Sequence, residues 1–226
     1  MAEPSLSPRL LRLLQAVVEE YQKTALPVGS QTLVDSYGLG VSSATVRNWF
    51  AELDAAGYLV QPHTSGGRVP TELGYRYYVE TSLDQLALDP QERAVLESAA
   101  GQPEAVRHKH LARSVADLTG LAVFARLGMI DSYYTGLSQL FGQPEFRDWN
   151  RVVSLSEVLD RLDDALHQLP PASDPRVLVG AESPFGPACS VIYLGREGMM
   201  FGVLGPLRLP YQRVYAAVQA VHQLLK

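Results

Sequence analysis

The chain has 226 residues, with 19 lysines and arginines against 24 aspartates and glutamates, for a net charge of −5. Hydrophobic residues make up 46%, which suits an ordinary globular chain of one or two domains and excludes global disorder. No apolar run approaches the roughly 20 residues that cross a bilayer. The single cysteine, Cys189, cannot form an internal disulfide or a multi-thiolate metal site, which points to a reducing, cytoplasmic setting.

An acidic chain offers no global field for nucleic acid, and residues 1–80 carry six lysines and arginines against eight acids. Any such binding has to be local. Two windows lack carboxylates: Asp35 to Glu52, which holds Arg47, and Asp54 to Glu72, which holds His63 and Arg68.

Ser7 followed by Pro8 reads as a helix start, with Leu10, Leu11, Leu14, Val17, Val18 and Tyr21 at helical spacing and an end before Pro27. Ser30 caps a short second helix that Gly38 and Gly40 close. Ser42 or Ser43 caps a third, whose inward stripe is Val46, Phe50 and Leu53, leaving Ser43, Ala44, Arg47 and Asn48 outward. Tyr58 to Pro62 is strand-like, His63 to Gly67 is a turn, and Arg68 and Val69 lead out again as a hairpin. A fourth helix starts near Glu72, with Tyr75, Tyr77 and Tyr78 as packing residues rather than a stacking platform. Helix, helix-turn-helix and hairpin make the order of a winged helix.

In such a domain the third helix enters the major groove. Arg47 can make a bidentate pair to guanine and Asn48 one to adenine. Ser30, Thr32, Ser42, Ser43 and Thr45 stand near phosphates or base edges, and His63, Thr64, Ser65, Gly67 and Arg68 form a wing that approaches phosphate or a narrow minor groove. Trp49, beside the inward stripe, is a candidate for a dimer or domain contact.

In the second half, residues 81–103 read as a connector with one short helix. Helices follow at 104–119, 137–146, 155–169 and 211 to the end, and strands at 121–126, 176–181, 188–194 and 199–204. Catalysis finds no support: Cys189 sits in an apolar strand pattern, and His108 and His110 point to different faces of a helix. No metal site, cofactor or phosphate loop emerges.

The segments PVGSQTL (27–33), YGLGVSSATVRN (37–48), GYLVQPHTSGGRVPT (57–71) and GYRYYV (74–79) closely resemble the heat-inducible repressor family HrcA, as do GLSQLFGQPEFRD (136–148) and GVLGPLRLPYQRV (202–214). Ser43 stands where that family usually has proline, Gly66 where it has alanine, and Trp49 where it often has glutamate. The resemblance implies an α+β fold: a winged helix-turn-helix domain at 1–81, a linker at 82–103, and a reduced GAF-like α/β regulatory and dimerisation domain at 104–226. The family's inserted dimerising subdomain is largely missing near 127–130. It also implies a non-enzymatic, homodimeric repressor of heat-shock chaperone genes, with double-stranded operator DNA of the CIRCE inverted-repeat type and the GroEL chaperonin as partners. A small-molecule sensor, with Tyr193 and Phe201 lining a pocket in the GAF-like part, is the alternative, and a protein-binding winged helix is a second.

Overall fold

The computed structural model describes residues 6–62, 66–83, 87–127, 131–147, 160, 162–196 and 198–225. The chain divides into two compact units, Met1–Ser82 and Leu83–Lys226.

In the first unit α1 spans Pro8–Thr24, α2 Ser30–Tyr37, α3 Ser43–Ala55 and α4 Glu72–Ser82, with a ribbon of β1 (Leu59–Val60) and β2 (Val69–Pro70) between α3 and α4. Helix α1 begins at the expected Ser-Pro pair and ends in a left-handed Ala25, whose N–H donates to Tyr21 O at 2.8 Å. The cap of α2 corrects the sequence reading, since Gly29 occupies that position and Ser30 is the first helical residue. Ser42 is the cap of α3: its hydroxyl accepts from Thr45 N at 3.2 Å.

Leu13, Leu14, Val17 and Val18 of α1 are fully buried with Leu33 of α2 and Val46, Phe50 and Leu53 of α3. Helices α1 and α3 each contribute an apolar stripe to a shared core, and α2 adds Leu33. Tyr75, Tyr77 and Tyr78 are buried as packing residues. The Tyr77 ring meets that of Tyr58 edge-on at 5.2 Å, and its hydroxyl accepts from Leu6 N at 2.8 Å.

The ribbon is shorter than its sequence suggests: only Leu59↔Pro70 and Val60↔Val69 pair, antiparallel. A further bridge, absent from the sequence reading, joins Arg68 to Val28, with N–H···O bonds of 2.8 and 2.9 Å in the two directions. At its base the Thr71 hydroxyl donates to Gly57 O at 2.6 Å and accepts from Gly74 N at 3.1 Å. Gly74 has to be glycine, because a Cβ there would lie 2.3 Å from the carbonyl oxygen of Tyr58.

The second unit is built on a five-stranded sheet of order β4-β3-β7-β6-β5, formed by β3 (Ala122–Leu127), β4 (Asp131–Thr135), β5 (Ala172–Val179), β6 (Cys189–Arg196) and β7 (Met199–Pro206). Every pairing is antiparallel, so the architecture is α+β, and the α/β label for this part is corrected. Strand β4 pairs with β3 in continuous register from Val123↔Thr135 to Leu127↔Asp131. The shortened junction placed near 127–130 is thus flanked by paired strands, and residues 128–130 themselves lie outside the described residues.

Residues 82–103, suggested as a linker, contain α5 (Pro90–Ala100), which packs on α6 (Glu104–Thr119) and belongs to the second unit. A complete capping box at Asp89 and Glu92 starts α5, and buried Leu96 and Ala99 give it an inward face. Short α7 (Leu137–Phe141), a 3₁₀ turn at Pro144–Arg147 and α8 (Leu162–His167) cover one face of the sheet, where Phe124, Val191, Tyr193 and Leu204 share a core with Leu140, Phe146 and Leu166. The helix suggested at 155–169 is described only from 162, and 155–159 lie outside the described residues. Alternate strand residues turn to the other face, covered by α6 and α9 (Tyr211–Leu224). There the Ser190 and Tyr211 hydroxyls lie 2.8 Å apart. The two second-half segments that carry the family resemblance meet at Arg208, which makes 2.6 and 3.2 Å bonds to Glu145 and one of 3.0 Å to Gln143. Among the described residues, no helix is long and apolar enough to cross a membrane.

Candidate nucleic-acid interface

Helix α3 presents Ala44, Arg47, Asn48 and Ala51 to solvent. Spacings of three and four place them on one face; Glu52, one turn beyond Asn48, borders it but pairs with Arg9, which leaves Arg47 and Asn48 as the unpaired polar side chains that project there. Among the described residues neither takes a hydrogen-bond partner within the chain. Each is therefore available to a ligand without first breaking a contact.

The acids of α3 are answered by arginines. Arg9 donates to Glu52 at 3.1 Å and lies over the Trp49 ring at 5.7 Å, while Arg68 Nε donates to Asp54 Oδ2 at 2.7 Å. Pairing removes the net negative charge that these carboxylates would otherwise set beside a polyanion. Arg12 donates to Gly38 O at 3.2 Å, Lys23 to the Tyr37 hydroxyl at 3.0 Å, and Arg76 pairs with Glu72 one turn away. Arg47 is thus the cation of the first unit whose head group has no partner among the described residues.

At the start of α3, Ser42 is exposed, Ser43 and Thr45 are half-buried, and the Ser42 and Thr45 hydroxyls are 3.0 Å apart. The Ser42 cap takes the Thr45 N–H, and the other N–H groups of the first turn and its hydroxyls can face an anion. Ser30 is half-buried and Thr32 exposed on the neighbouring α2. Structure thus brings Ser42, Ser43, Thr45, Arg47 and Asn48 together on one helix, with Ser30 and Thr32 on the preceding one.

The wing residues divide differently. His63, Thr64 and Ser65 lie outside the described residues. Gly67 is buried, and a Cβ there would stand 2.7 Å from the backbone of Pro27, so its role is close packing inside the unit rather than approach to a ligand. Arg68 is committed to Asp54, stacks over Phe50 at 5.6 Å, and has a side chain only 15% exposed. Where the sequence suggests that this stretch reaches phosphate or a narrow minor groove, Gly67 is packed and Arg68 engaged within the chain. Asp54, the partner that holds Arg68, escapes sequence reasoning because nothing in a separation of 14 residues signals an ion pair.

In the second unit Tyr193 and Phe201 do not line an open pocket: they are 0% and 1% exposed, and the Tyr193 hydroxyl donates to Pro170 O at 2.9 Å. Both belong to the sheet core. Cys189 is 1% exposed, and burial pushes its thiol up to about 12. The thiolate that a nucleophile needs is absent near neutral pH. Cys189 in the native chain therefore stays unmodified by a thiol reagent such as DTNB at pH 8 while the urea-unfolded chain reacts fully. Rapid labelling of the native chain would contradict the burial argument.

The family model described as HrcA protein C terminal domain matches residues 75–215, more than half of the chain. The heat-inducible transcription repressor HrcA of Symbiobacterium thermophilum is 49% identical over 87 residues, which are 38% of this chain and 26% of that protein. The protein of the same name from Caldanaerobacter subterraneus subsp. tengcongensis is 44% identical over 125 residues, 54% of this chain and 36% of that protein. The matches thus span about a quarter to a third of these relatives' length. A crystal structure of a hypothetical protein aligns over 97% of this chain and 96% of that one, with a TM-score of 0.75 at 18% identity, a likeness of fold alone.

Proposed function

The chain belongs to the HrcA family, and from that premise we propose that it is a homodimeric, sequence-specific transcription repressor of heat-shock chaperone genes. In this reading residues 1–82 act as a winged helix-turn-helix and α3 is the recognition helix. The observation that carries it is the pair of unpartnered, exposed side chains Arg47 and Asn48 on a face of α3 shared with Ala44 and Ala51 and bordered by Glu52, which Arg9 holds. Small neighbours let the helix backbone approach base edges closely, and the two projecting groups have the hydrogen-bonding patterns that read guanine (two donors, Arg47) and adenine (one donor and one acceptor, Asn48). Ser42, Ser43 and Thr45, with the open first turn of α3, serve the adjacent phosphate, and Ser30 and Thr32 of α2 serve the next. His63, Thr64 and Ser65 are assigned phosphate or minor-groove contacts in this reading.

The operator in this reading is the CIRCE inverted repeat, and GroEL maintains the active repressor until heat diverts the chaperonin to unfolded clients. The second unit acts as a GAF-like regulatory and dimerisation domain. With few free cations per subunit, phosphate neutralisation alone cannot hold the complex, so affinity depends on two subunits engaging symmetric half-sites. Fluorescence anisotropy with a duplex carrying both halves of the repeat, one carrying a single half and a scrambled control tests this. Binding to the full repeat at least about tenfold tighter than to the half-site is the expected result. Equal affinity for the two would refute the dimeric reading, and equal affinity for the scrambled duplex would refute sequence specificity.

A further inference from the structure

We infer that the Arg68–Asp54 ion pair is a clamp that positions the β1–β2 ribbon against α3, and that it controls operator affinity without touching DNA; this rests on the DNA-binding reading above. A ribbon of two residue pairs cannot hold its own direction, since even longer isolated hairpins are only marginally stable in water. Something outside the ribbon has to aim it. Arg68 does so from three sides. Its Nε donates to Asp54 Oδ2 of α3 at 2.7 Å, its guanidinium lies 5.6 Å from the centre of the Phe50 ring, also on α3, and its backbone pairs in both directions with Val28 in the segment that leads into α2. Beside it, Gly67 presses on the backbone of Pro27 with no room for a Cβ.

The Arg68 and Asp54 side chains are only 15% and 28% exposed. Such a pair is costly to break from one side, because the remaining partner keeps its charge in a poorly hydrated place. Asp54 also lies seven residues beyond Arg47, about 10 Å along the helix axis, so the clamp grips α3 away from the turn that carries Arg47 and Asn48. Arg68 is therefore a positioning residue, and the aim of the wing relative to the recognition face is what it sets.

Charge alone and the clamp predict opposite signs for one substitution. Asp54→Asn removes a negative charge from a DNA-binding unit, which by electrostatics strengthens binding. The clamp requires it to weaken binding. The test uses the full chain as wild type, Arg68→Gln, Asp54→Asn, the double variant and Arg68→Lys. Each is titrated against a CIRCE duplex at several salt concentrations, with the active fraction taken from stoichiometric titration and the fold from circular dichroism. Each single substitution is expected to weaken binding about tenfold at unchanged active fraction, and the double to be no weaker than the worse single. The salt slope should match wild type, and Arg68→Lys should recover part of the loss.

A salt slope shallower by about 0.9 per subunit, about 1.8 for the dimer on the full repeat, in Arg68→Gln would make Arg68 a phosphate contact and overturn the clamp. Unchanged or tighter binding by Asp54→Asn would overturn it too, as would a fall confined to the active fraction. In those cases binding by the wild-type chain still stands. A wild-type chain that does not bind the duplex would instead remove the DNA-binding reading, and the clamp's role with it.

Discussion

Replacing Arg47 with alanine is expected to weaken binding to a CIRCE duplex by about 1–3 kcal/mol per half-site while leaving the unfolding midpoint almost unchanged. The separation of the two effects follows from the geometry. The Arg47 side chain is exposed on α3 and takes no partner among the described residues, so its removal breaks nothing in the free protein. Substitutions at such surface positions usually shift stability by less than about 0.5 kcal/mol. Loss of a base contact should also relax the preference for one base pair in each half-site, which a panel of singly substituted duplexes reads directly. Asn48→Ala should relax a different position. If Arg47→Ala binds the intact repeat as tightly as wild type, α3 is not the recognition element and the protein-binding alternative gains ground.

Gly74→Ala is expected to destabilise the first unit by at least about 2 kcal/mol, the opposite of what helix propensity alone dictates. Alanine is favoured over glycine inside a helix by roughly 0.5–1 kcal/mol. At this position, however, the added methyl would meet the Tyr58 carbonyl oxygen at 2.3 Å. That oxygen is backbone, and it already accepts from Thr71 N at 3.0 Å and from the Thr71 hydroxyl at 3.2 Å, so it cannot swing aside. Relief requires α4 to move off the base of the ribbon, which opens the packing of Tyr58 against Tyr77. The matching control is Gly101→Ala at the end of α5, where φ is −70° and the nearest atom is 3.5 Å away. There the same change should be neutral or stabilising by about 0.4–1 kcal/mol, because only the unfolded chain loses freedom. Thermal unfolding of both variants decides the matter; equal midpoints for Gly74→Ala and wild type would mean that α4 and the ribbon adjust freely.

The local code of the first unit is legible without coordinates. Ser-Pro at 7–8, the glycines at 38 and 40, the hydroxyl before α3 and the stripes of leucine, valine and phenylalanine each act within a few residues, and helices α1, α3 and α4 begin where those signals stand. The exposure of Arg47 and Asn48 follows from the same periodicity: once Val46, Phe50 and Leu53 face inward, positions 47 and 48 face away. In the second unit the strands expected at 121–126, 188–194 and 199–204 stand at 122–127, 189–196 and 199–206, because a strand buried on both faces reads as an apolar run without alternation, while the one expected at 176–181 stands at 172–179, its polar start ASDPR giving no such run.

Pairing decided the rest. Strand β4, DSYYT, carries no apolar run and exists because β3 offers it a hydrogen-bonding edge. Helix α5 reads as a connector until packing on α6 and α9 buries its Leu96 and Ala99. Tyr193 and Phe201 are equally compatible with a pocket and a core on sequence alone, and the sheet buries both. Arg68 is the sharpest case, since an arginine in an acid-free window reads as a cation for DNA. The carboxylate it pairs with, Asp54, lies 14 residues away in sequence but 2.7 Å away in space, while Glu72, four residues on, pairs with Arg76 instead. Periodicity governs what a residue faces within its own element; which charge meets which partner is set only when separate elements pack, because Coulomb and hydrogen-bond energies depend on distance through space and not along the chain.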